Sequence, residues 1–316
     1  MLHIVEQSES DAMTTYPISK TIWSGSTKFC ESVVIADSPE YGRLLFLDGE
    51  IQSASADERI YHESLVHPVM VATSALNHKR VLVVGGGEGA TVREVLRWSS
   101  VDEVVWVDID TELVELCKEY LGWAPHVYDN PRVTFLGRDI QSLIPELGQS
   151  GKSEKFDVII LDLPDPDGHT GYLYSPAFWK DIKGLLQSSE SRLVTHVGPV
   201  RPFGNLGAGL QRVWKEANIG GFDAWKYGFY QITIPSFQGS WGFWMSGCSP
   251  FTMRRESISL PASLHVVDIE QMIQWALPTK LWRRALEQIP MTVAFGACNI
   301  FMPNVCACTV EYSDSD

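Results

Sequence analysis

The feature that most constrains the fold is a regular alternation of apolar and helix-like segments in the middle of the chain. Almost continuous apolar runs lie at residues 80–84, 101–109, 132–136, 156–161 and 192–197. Helix-like segments lie between them at 91–98, 112–121 and 178–186. Apolar strands that alternate with helices are typical of a parallel sheet covered by helices on both faces. The sequence therefore predicts an α/β fold with a doubly wound sheet, closed by antiparallel strands at 230–235 and 241–246.

The first part of the chain has a different pattern. Short β-like runs at 31–36, 43–47 and 50–53 are joined by turn residues, among them Asp48-Gly49, a pair that favours a hairpin. Residues 1–20 are polar and predicted to be irregular, whereas residues 57–76 have a helical period. We expect a small antiparallel β domain with a bridging helix at 1–75, the α/β domain at 76–290, and a flexible tail at 291–316.

Charge and cysteine usage exclude several classes of protein. The 316 residues include 39 Asp and Glu against 25 Lys and Arg, a formal net charge of −14, which speaks against nucleic acid as the main partner and favours cations. The six cysteines are scattered, as expected in a reducing cytoplasm, and Cys306-Ala307-Cys308 lacks the spacing of a zinc site. No run approaches the about 20 apolar residues of a membrane span, and residues 1–10 lack a secretory signal. We therefore expect a cytoplasmic protein without a metal or a membrane partner.

A glycine turn at residues 85–89 follows the first strand of the α/β part. Glycines such as Gly85 and Gly87 let the backbone approach a ligand closely. Asp108 lies 21 residues after Gly87 and ends the second strand, where a carboxylate can bind both hydroxyls of a ribose. The spacing Gly-x-Gly-x-Gly differs from the dinucleotide fingerprint, which argues against a dehydrogenase. The turn predicts a site for a nucleoside.

Further acidic residues follow the next two strands. Asp139 after the third strand suits either an adenine amino group or the cap of a helix, and both hypotheses stay open. The fourth strand ends in the segment 162–168, whose Asp-Pro-Asp-Gly part also suits a plain turn. Strand ends at the carboxyl edge of a parallel sheet face the ligand crevice. Asp162 and Asp165, together with Glu88, therefore predict an acidic pocket for ammonium groups.

These residues resemble the polyamine aminopropyltransferases, the spermidine and spermine synthase family. The resemblance rests on three motifs and extends over roughly residues 23–250. The first is LDGEIQS at 47–53, followed by DE at 57–58, YHE at 61–63 and HP at 67–68. The second is GGGEGATVRE at 85–94 with VDID at 107–110, and the third is DVIILDLPDP at 157–166. The resemblance implies a Rossmann-like, class I methyltransferase-like domain behind a small antiparallel β domain. It also implies transfer of an aminopropyl group from decarboxylated S-adenosylmethionine to a polyamine, with release of methylthioadenosine, no metal, no permanently bound cofactor, and a homodimer or homotetramer.

The resemblance also implies roles for individual residues. Asp162 is expected to be the catalytic acid–base group. The donor, a co-substrate, is expected to contact Gln52, Gly85, Gly87, Glu88, Asp108, Asp139 and Ile140. The polyamine channel is expected to include Tyr61, His62, Asp165, Phe237 and Trp241. For His62 a purely structural hydrogen-bonding role, and for Trp241 core packing, are the alternatives.

Within the family the sequence is most similar to the thermospermine type. Glu88 stands where spermidine synthases usually have Asp, Leu163 stands where Ser is commoner, and spermidine synthases tend to have Tyr near Phe237. Spermidine is therefore the expected acceptor. Transfer to putrescine, S-adenosylmethionine-dependent amine methylation on the same scaffold, and a non-catalytic polyamine or nucleoside sensor are alternatives. Cys30 in place of the usual Gln and Asp167-Gly168-His169 in place of Gly-Pro suggest one altered donor contact and an altered gatekeeping loop.

Overall fold

The computed structural model describes residues 2–7, 13–76, 79–148, 155–164, 168–201, 208–222, 228–246 and 260–268. Asp165, Cys306, Cys308 and the expected tail at 291–316 lie outside these ranges. The division of the chain into domains at 75 and 290 stays a prediction.

The N-terminal part consists of two small antiparallel sheets. The first is a ribbon of β1 (Leu2–Gln7) and β2 (Met13–Ile18). The second has four strands in chain order: β3 (Lys20–Gly25), β4 (Val33–Ser38), β5 (Gly42–Leu47) and β6 (Glu50–Ala54). The hairpin expected at Asp48-Gly49 joins β5 to β6, with both residues at positive φ.

The prediction that residues 1–20 are irregular is wrong. They include the strands β1 and β2, and Tyr16 and Ile18, two residues apart on β2, are both buried in a cluster with Leu44 and Phe46. Two buried side chains give too short an alternation to be detected among polar neighbours, so only the tertiary contact reveals the strand.

A seven-stranded mixed sheet forms the larger part of the molecule, in the order β12-β13-β11-β10-β7-β8-β9. Its strands are β7 (Lys79–Gly85), β8 (Val101–Val107), β9 (Val133–Leu136), β10 (Val158–Asp162), β11 (Arg192–Pro199), β12 (Gly228–Ile234) and β13 (Gly239–Met245). Strands β7 to β11 pair in parallel, and β12 and β13 close the sheet in antiparallel pairs. The predicted doubly wound α/β sheet and its antiparallel closure are confirmed.

Helices cover both faces of this sheet. They are α1 (Glu58–Ala72), α2 (Ala90–Leu96), α3 (Thr111–Tyr120), α4 (Ile140–Leu147), α5 (Pro176–Gly184) and α6 (Ala208–Ile219). On β7, Val81 and Val83 pack in the cluster that includes residues of α1, α2 and α3, while Leu82 and Val84 pack in the cluster of α4, α5 and α6. Burial on both faces explains why the strand sequence is apolar without alternation.

The chain reverses its direction of progress across the sheet between β7 and β10. After β7 the strands β8 and β9 follow on one side, and β10 and β11 follow on the other. Ligands of open α/β sheets bind at the carboxyl ends of the strands beside such a reversal. Gly85 and Asp162, which pair at the ends of β7 and β10, mark this position.

The segment at 260–268 is fastened to the back of α1 by one buried carboxylate. The side chain of Glu63 accepts hydrogen bonds of 2.8–3.1 Å from the backbone N–H groups of His265, Val266 and Val267. Among the described helices, none is both long and apolar enough to cross a membrane.

Replacing the Glu63 carboxylate should destabilise the fold measurably. We expect Glu63→Ala to lower the free energy of unfolding by about 3 kcal/mol, because charge-assisted hydrogen bonds are lost and a buried cavity forms. Urea denaturation followed by circular dichroism measures the loss. Glu103→Ala is the control, since Glu103 pairs with Arg80 at 2.6 Å near the surface and should matter by less than about 1 kcal/mol. Equal losses in the two variants would contradict the assignment of Glu63 as an anchor.

Candidate active site

The glycine turn brings the backbone against the end of β10. Gly85 and Gly86 have φ values of +81° and +67°, and the N–H of Gly86 donates to the carbonyl oxygen of Asp162 at 2.9 Å. A Cβ atom on Gly86 would lie 2.8 Å from Oδ2 of Asp162. The positive φ and the close approach both require glycine here.

Asp162 is held by two hydroxyl groups. The Tyr61 hydroxyl on α1 donates to Oδ1 at 2.7 Å, and the Thr91 hydroxyl on α2 donates to Oδ2 at 2.5 Å. Burial, together with the charge of Asp162, raises the pKa of Tyr61 well above its usual value, so this phenol stays a hydrogen-bond donor. The carboxylate therefore has a fixed orientation, with its remaining lone pairs available to a ligand.

Glu88 presents an unsatisfied carboxylate oxygen to the same region. Its Oε1 is 3.1 Å from Nε2 of His62, while its Oε2 is buried and has no hydrogen-bond partner among the described residues. Leaving a buried carboxylate oxygen unpaired is costly, and a ligand that donates to it removes that cost. An ammonium group, which donates hydrogen bonds and carries the opposite charge, is one ligand that would satisfy this oxygen.

His62 is buried and joins Glu88 to a second ion pair. Its Nδ1 lies 2.7 Å from the backbone oxygen of Glu58 and 2.9 Å from Oε2 of that residue. The Glu58 carboxylate accepts two further hydrogen bonds from Arg93, at 3.0 and 2.8 Å. Burial opposes charge on these groups, but hydrogen bonds and charges from His62 and Arg93 lower the pKa of Glu58 to about 2.

Asp108 lies beside the glycine turn at the end of β8. Its Oδ1 accepts from the backbone N–H of Asp110 at 2.8 Å, and a Cβ atom on Gly87 would lie 3.2 Å from its Oδ2. Burial, reinforced by the charges of Asp110 and Asp162, raises the pKa of Asp108 to about 7. A partly buried carboxylate of this kind is stabilised when ligand hydroxyls donate to it.

Aromatic rings line the side of the site next to Tyr61. The ring of Phe237 is 6.1 Å from that of Tyr61 and 4.7 Å from that of Trp241, and Trp241 stacks on His196 at 5.9 Å. The Trp241 indole N–H is buried without a hydrogen-bond partner among the described residues. His196 itself is fixed by a hydrogen bond between its Nε2 and the carbonyl oxygen of Leu163.

The turn that carries Phe237 is fastened at Ser236. The Asp57 carboxylate accepts from the backbone N–H and the hydroxyl of Ser236, at 2.7 and 2.9 Å. The Tyr16 hydroxyl donates to the carbonyl oxygen of the same residue at 2.7 Å. The start of α1 and strand β2 thus fix the position of Phe237, which together with Tyr61 and Trp241 forms an aromatic wall of the site.

The other predicted residues are placed less directly. Gln52 on β6 donates to the backbone oxygen of Glu50 at 3.4 Å. Asp139 caps α4 by accepting from the N–H of Gln141 at 2.9 Å, so the capping hypothesis is confirmed, while its partly exposed carboxylate leaves adenine binding a prediction. Ile140 packs in the core under the sheet. Asp165, and Asp167 of the altered gatekeeping loop, lie outside the described residues, whereas Gly168 and His169 begin a short 3-10 helix (Gly168–Tyr174).

The roles of three residues were not predicted. Thr91, Glu58 and Arg93 all lie inside the motifs, but no function was inferred for them. The spacing of Glu58 and His62 is i, i+4, which on a helix predicts a contact. Thr91 and Arg93 gave no such local signal, because their partners are distant in the sequence.

Comparison with known proteins identifies relatives of this chain. The spermine/spermidine synthase domain matches residues 58–190. The chain is 35% identical over 246 residues to polyamine aminopropyltransferase 2 of Pseudomonas aeruginosa, covering 76% of this chain and 65% of that protein. It is 38% identical to polyamine aminopropyltransferase 1 of Hyperthermus butylicus, covering 70% and 73%. It is 32% identical to the polyamine aminopropyltransferase of Aeropyrum pernix, covering 87% and 88%.

Solved structures share the fold. A crystal structure of a spermidine synthase in complex with the transition-state analogue AdoDATO superposes with a TM-score of 0.80 at 22% identity, over 90% of this chain and 95% of that one. The spermidine synthase of Thermotoga maritima gives a TM-score of 0.79 at 22% identity, over 91% and 94%.

Proposed function

The chain belongs to the polyamine aminopropyltransferase family, the spermine/spermidine synthases, and on that premise we propose that it converts spermidine to thermospermine. The donor is decarboxylated S-adenosylmethionine, the co-substrate of this family, and the second product is methylthioadenosine. The observation that carries the proposal is the unpaired Oε2 of Glu88 beside the fixed carboxylate of Asp162.

The donor would lie across the carboxyl ends of β7 and β8. Asp108 would accept from the ribose hydroxyls next to the backbone of Gly85 and Gly87, and Glu88 would bind the ammonium of the aminopropyl arm. Asp139 and Ile140 would bind the adenine, and Gln52 would contact the aminopropyl arm from the N-terminal part. Intact S-adenosylmethionine would bring a carboxylate next to Glu88, where like charges repel.

The reaction is a displacement at the carbon of the aminopropyl arm attached to sulfur. The acceptor amine forms the new C–N bond while the C–S bond breaks and its electrons pass to sulfur, which becomes a neutral thioether. The amine must first lose a proton, which costs about 4–5 kcal/mol at pH 7 for an ordinary amine of pKa about 10.4. Asp162, held by Tyr61 and Thr91, would accept this proton or orient the amine while water accepts it.

The acceptor would lie along the aromatic wall. Faces of Tyr61, Phe237 and Trp241, which lie next to one another, favour the ammonium groups of a polyamine through cation–π attraction. His62 supports the site through Glu88, and Asp165 would line the channel. Spermidine as the acceptor rests on the sequence features at Glu88, Leu163 and Phe237.

Incubation of the purified protein with decarboxylated S-adenosylmethionine tests this function. Spermidine and putrescine are supplied separately, and products are resolved by chromatography against thermospermine, spermine and spermidine standards. We expect thermospermine from spermidine, and turnover with the intact donor lower by about a hundredfold or more because of the like charges.

Other products would overturn specific parts of the proposal. Spermidine made from putrescine would refute the acceptor and keep the family activity. Spermine would refute the attacked nitrogen. A methylated amine made from the intact donor would refute the donor, and ligand binding without turnover would favour a sensor. A cytoplasmic location and a homodimer or homotetramer are further proposals, which rest on the cysteine pattern and on the family resemblance.

A further inference from the structure

Both ring nitrogens of His62 face hydrogen-bond acceptors. Its Nδ1 lies 2.7 Å from the carbonyl oxygen of Glu58, and its Nε2 lies 3.1 Å from Oε1 of Glu88. A carbonyl oxygen and a carboxylate oxygen accept hydrogen bonds, so both contacts are hydrogen bonds when both ring nitrogens carry a proton. A neutral ring would keep its proton on Nδ1, where the carbonyl accepts it, and would turn a bare lone pair toward Glu88.

The charge on His62 depends on a pair of residues one step further from the site. Glu58 lies 2.9 Å from Nδ1, and Arg93 binds the same carboxylate through two nitrogens at 3.0 and 2.8 Å. The side chains of His62 and Glu58 are 1% and 5% exposed, so water screens this contact little. Charges therefore alternate in sign from Arg93 through Glu58 and His62 to Glu88.

We propose that Glu58 and Arg93 are positioning residues for the aminopropyl donor. They keep His62 protonated, His62 binds one oxygen of Glu88, and the other oxygen is left for the donor's ammonium group. The inference rests on the proposed function, since the ligand of Glu88 is taken to be this ammonium. It explains why an ion pair between α1 and α2 is connected through His62 to a carboxylate of the site.

The surroundings of His62 support a cation over a wide pH range. Burial lowers the pKa of His62, but Glu88 from the glycine turn and Glu58 from its own helix outweigh burial and raise that pKa to about 10. Among the described residues, the other titratable groups near the ring are Tyr61, and beyond it Asp162 on β10 and His196 on β11. Arg93 on α2 faces Glu58.

Calorimetric titration of the full chain with two ligands tests the inference. Decarboxylated S-adenosylmethionine carries the ammonium, whereas methylthioadenosine has the adenosine without it. Glu58→Gln keeps the size of the side chain, removes its charge and should lower the pKa of His62. At about pH 9 we expect the variant to bind the decarboxylated donor about tenfold more weakly than wild type, the loss of one charge-assisted bond, and to bind methylthioadenosine with unchanged affinity.

The pH dependence and matched variants separate positioning from loosening of the fold. At about pH 6 the variant's deficit relative to wild type should shrink, because His62 is protonated again. Asp108, whose pKa is raised to about 7, titrates in wild type and variant alike, so its effect on affinity cancels in this ratio. Arg93→Lys keeps the charge but loses the two-point contact, so it should show a smaller deficit of the same kind. Glu94→Gln removes another buried carboxylate that contacts Arg93 at 2.8 Å and should leave donor affinity unchanged.

Two results would overturn the inference while the proposed function stands. One is equal weakening of both ligands in Glu58→Gln, and the other is a donor deficit that does not vary with pH or appears equally in Glu94→Gln. Failure of the wild-type protein to bind the decarboxylated donor more tightly than methylthioadenosine would instead refute the role of Glu88 in the proposed function.

Discussion

Asp162→Asn is expected to lower kcat by about a thousandfold, within the range found for removal of a positioned acid–base group. The amide has nearly the same shape but cannot accept a proton from the amine. It also turns an NH2 group toward the hydroxyl of Tyr61 or Thr91, and in the wild-type protein both hydroxyls donate to the carboxylate. Methylthioadenosine release, measured by chromatography under saturating substrates, gives kcat, and calorimetry with methylthioadenosine shows whether the nucleoside site is intact.

A control residue next to the opposite end of β10 separates chemistry from folding. Asp157 lies directly before β10, at its opposite end, and its Oδ2 accepts from the backbone N–H of Arg80 at 2.9 Å. Asp157→Asn should keep kcat within about twofold, because an amide oxygen can accept the same bond far from the reacting groups. If Asp162→Asn kept more than about a tenth of the wild-type kcat, proton acceptance by Asp162 would no longer explain catalysis.

The parallel sheet was predictable because its signal is local. Each buried strand is a short apolar run, and the expected runs at 80–84, 101–109 and 156–161 overlap β7, β8 and β10. Helix α6 was not predicted, and α4 was anticipated only through the hypothesis that Asp139 caps a helix. Helix α4 has only eight residues and contains Pro145, so its period is short and its composition is untypical.

The acids of the site were predictable for a topological reason. Parallel strands end at one edge, so the carboxylates that follow β7, β8 and β10 gather there whatever their spacing in the sequence. Contacts such as Tyr61 with Asp162, 101 residues apart, or Asp57 with Ser236, 179 residues apart, have no local signal. They depend on where α1 docks, and that is decided by packing of the complete chain.

Gly85→Ala should have the second large effect, on both stability and activity. At φ +81° an added Cβ atom would lie 2.1 Å from the carbonyl oxygen of Asp162 and 2.8 Å from its carbonyl carbon. These are backbone atoms of the paired strand β10, so the contact is relieved only if the two strands separate or Asp162 moves. We expect a loss of about 4 kcal/mol in the free energy of unfolding, measured by urea denaturation, and a kcat reduced by more than about a hundredfold.

Gly122→Ala isolates the part of this effect that comes from the φ angle alone. Gly122 has φ +69°, and a Cβ atom there would meet no atom within 4 Å. It should therefore lose only about 1–2 kcal/mol, the cost of a left-handed conformation for an L-residue, and keep its full kcat. Because both glycines have left-handed backbones, any larger loss at Gly85 measures the contact with Asp162. Equal losses in the two variants would mean that the glycine turn is needed for its backbone conformation and not for the close approach that positions the carboxylate.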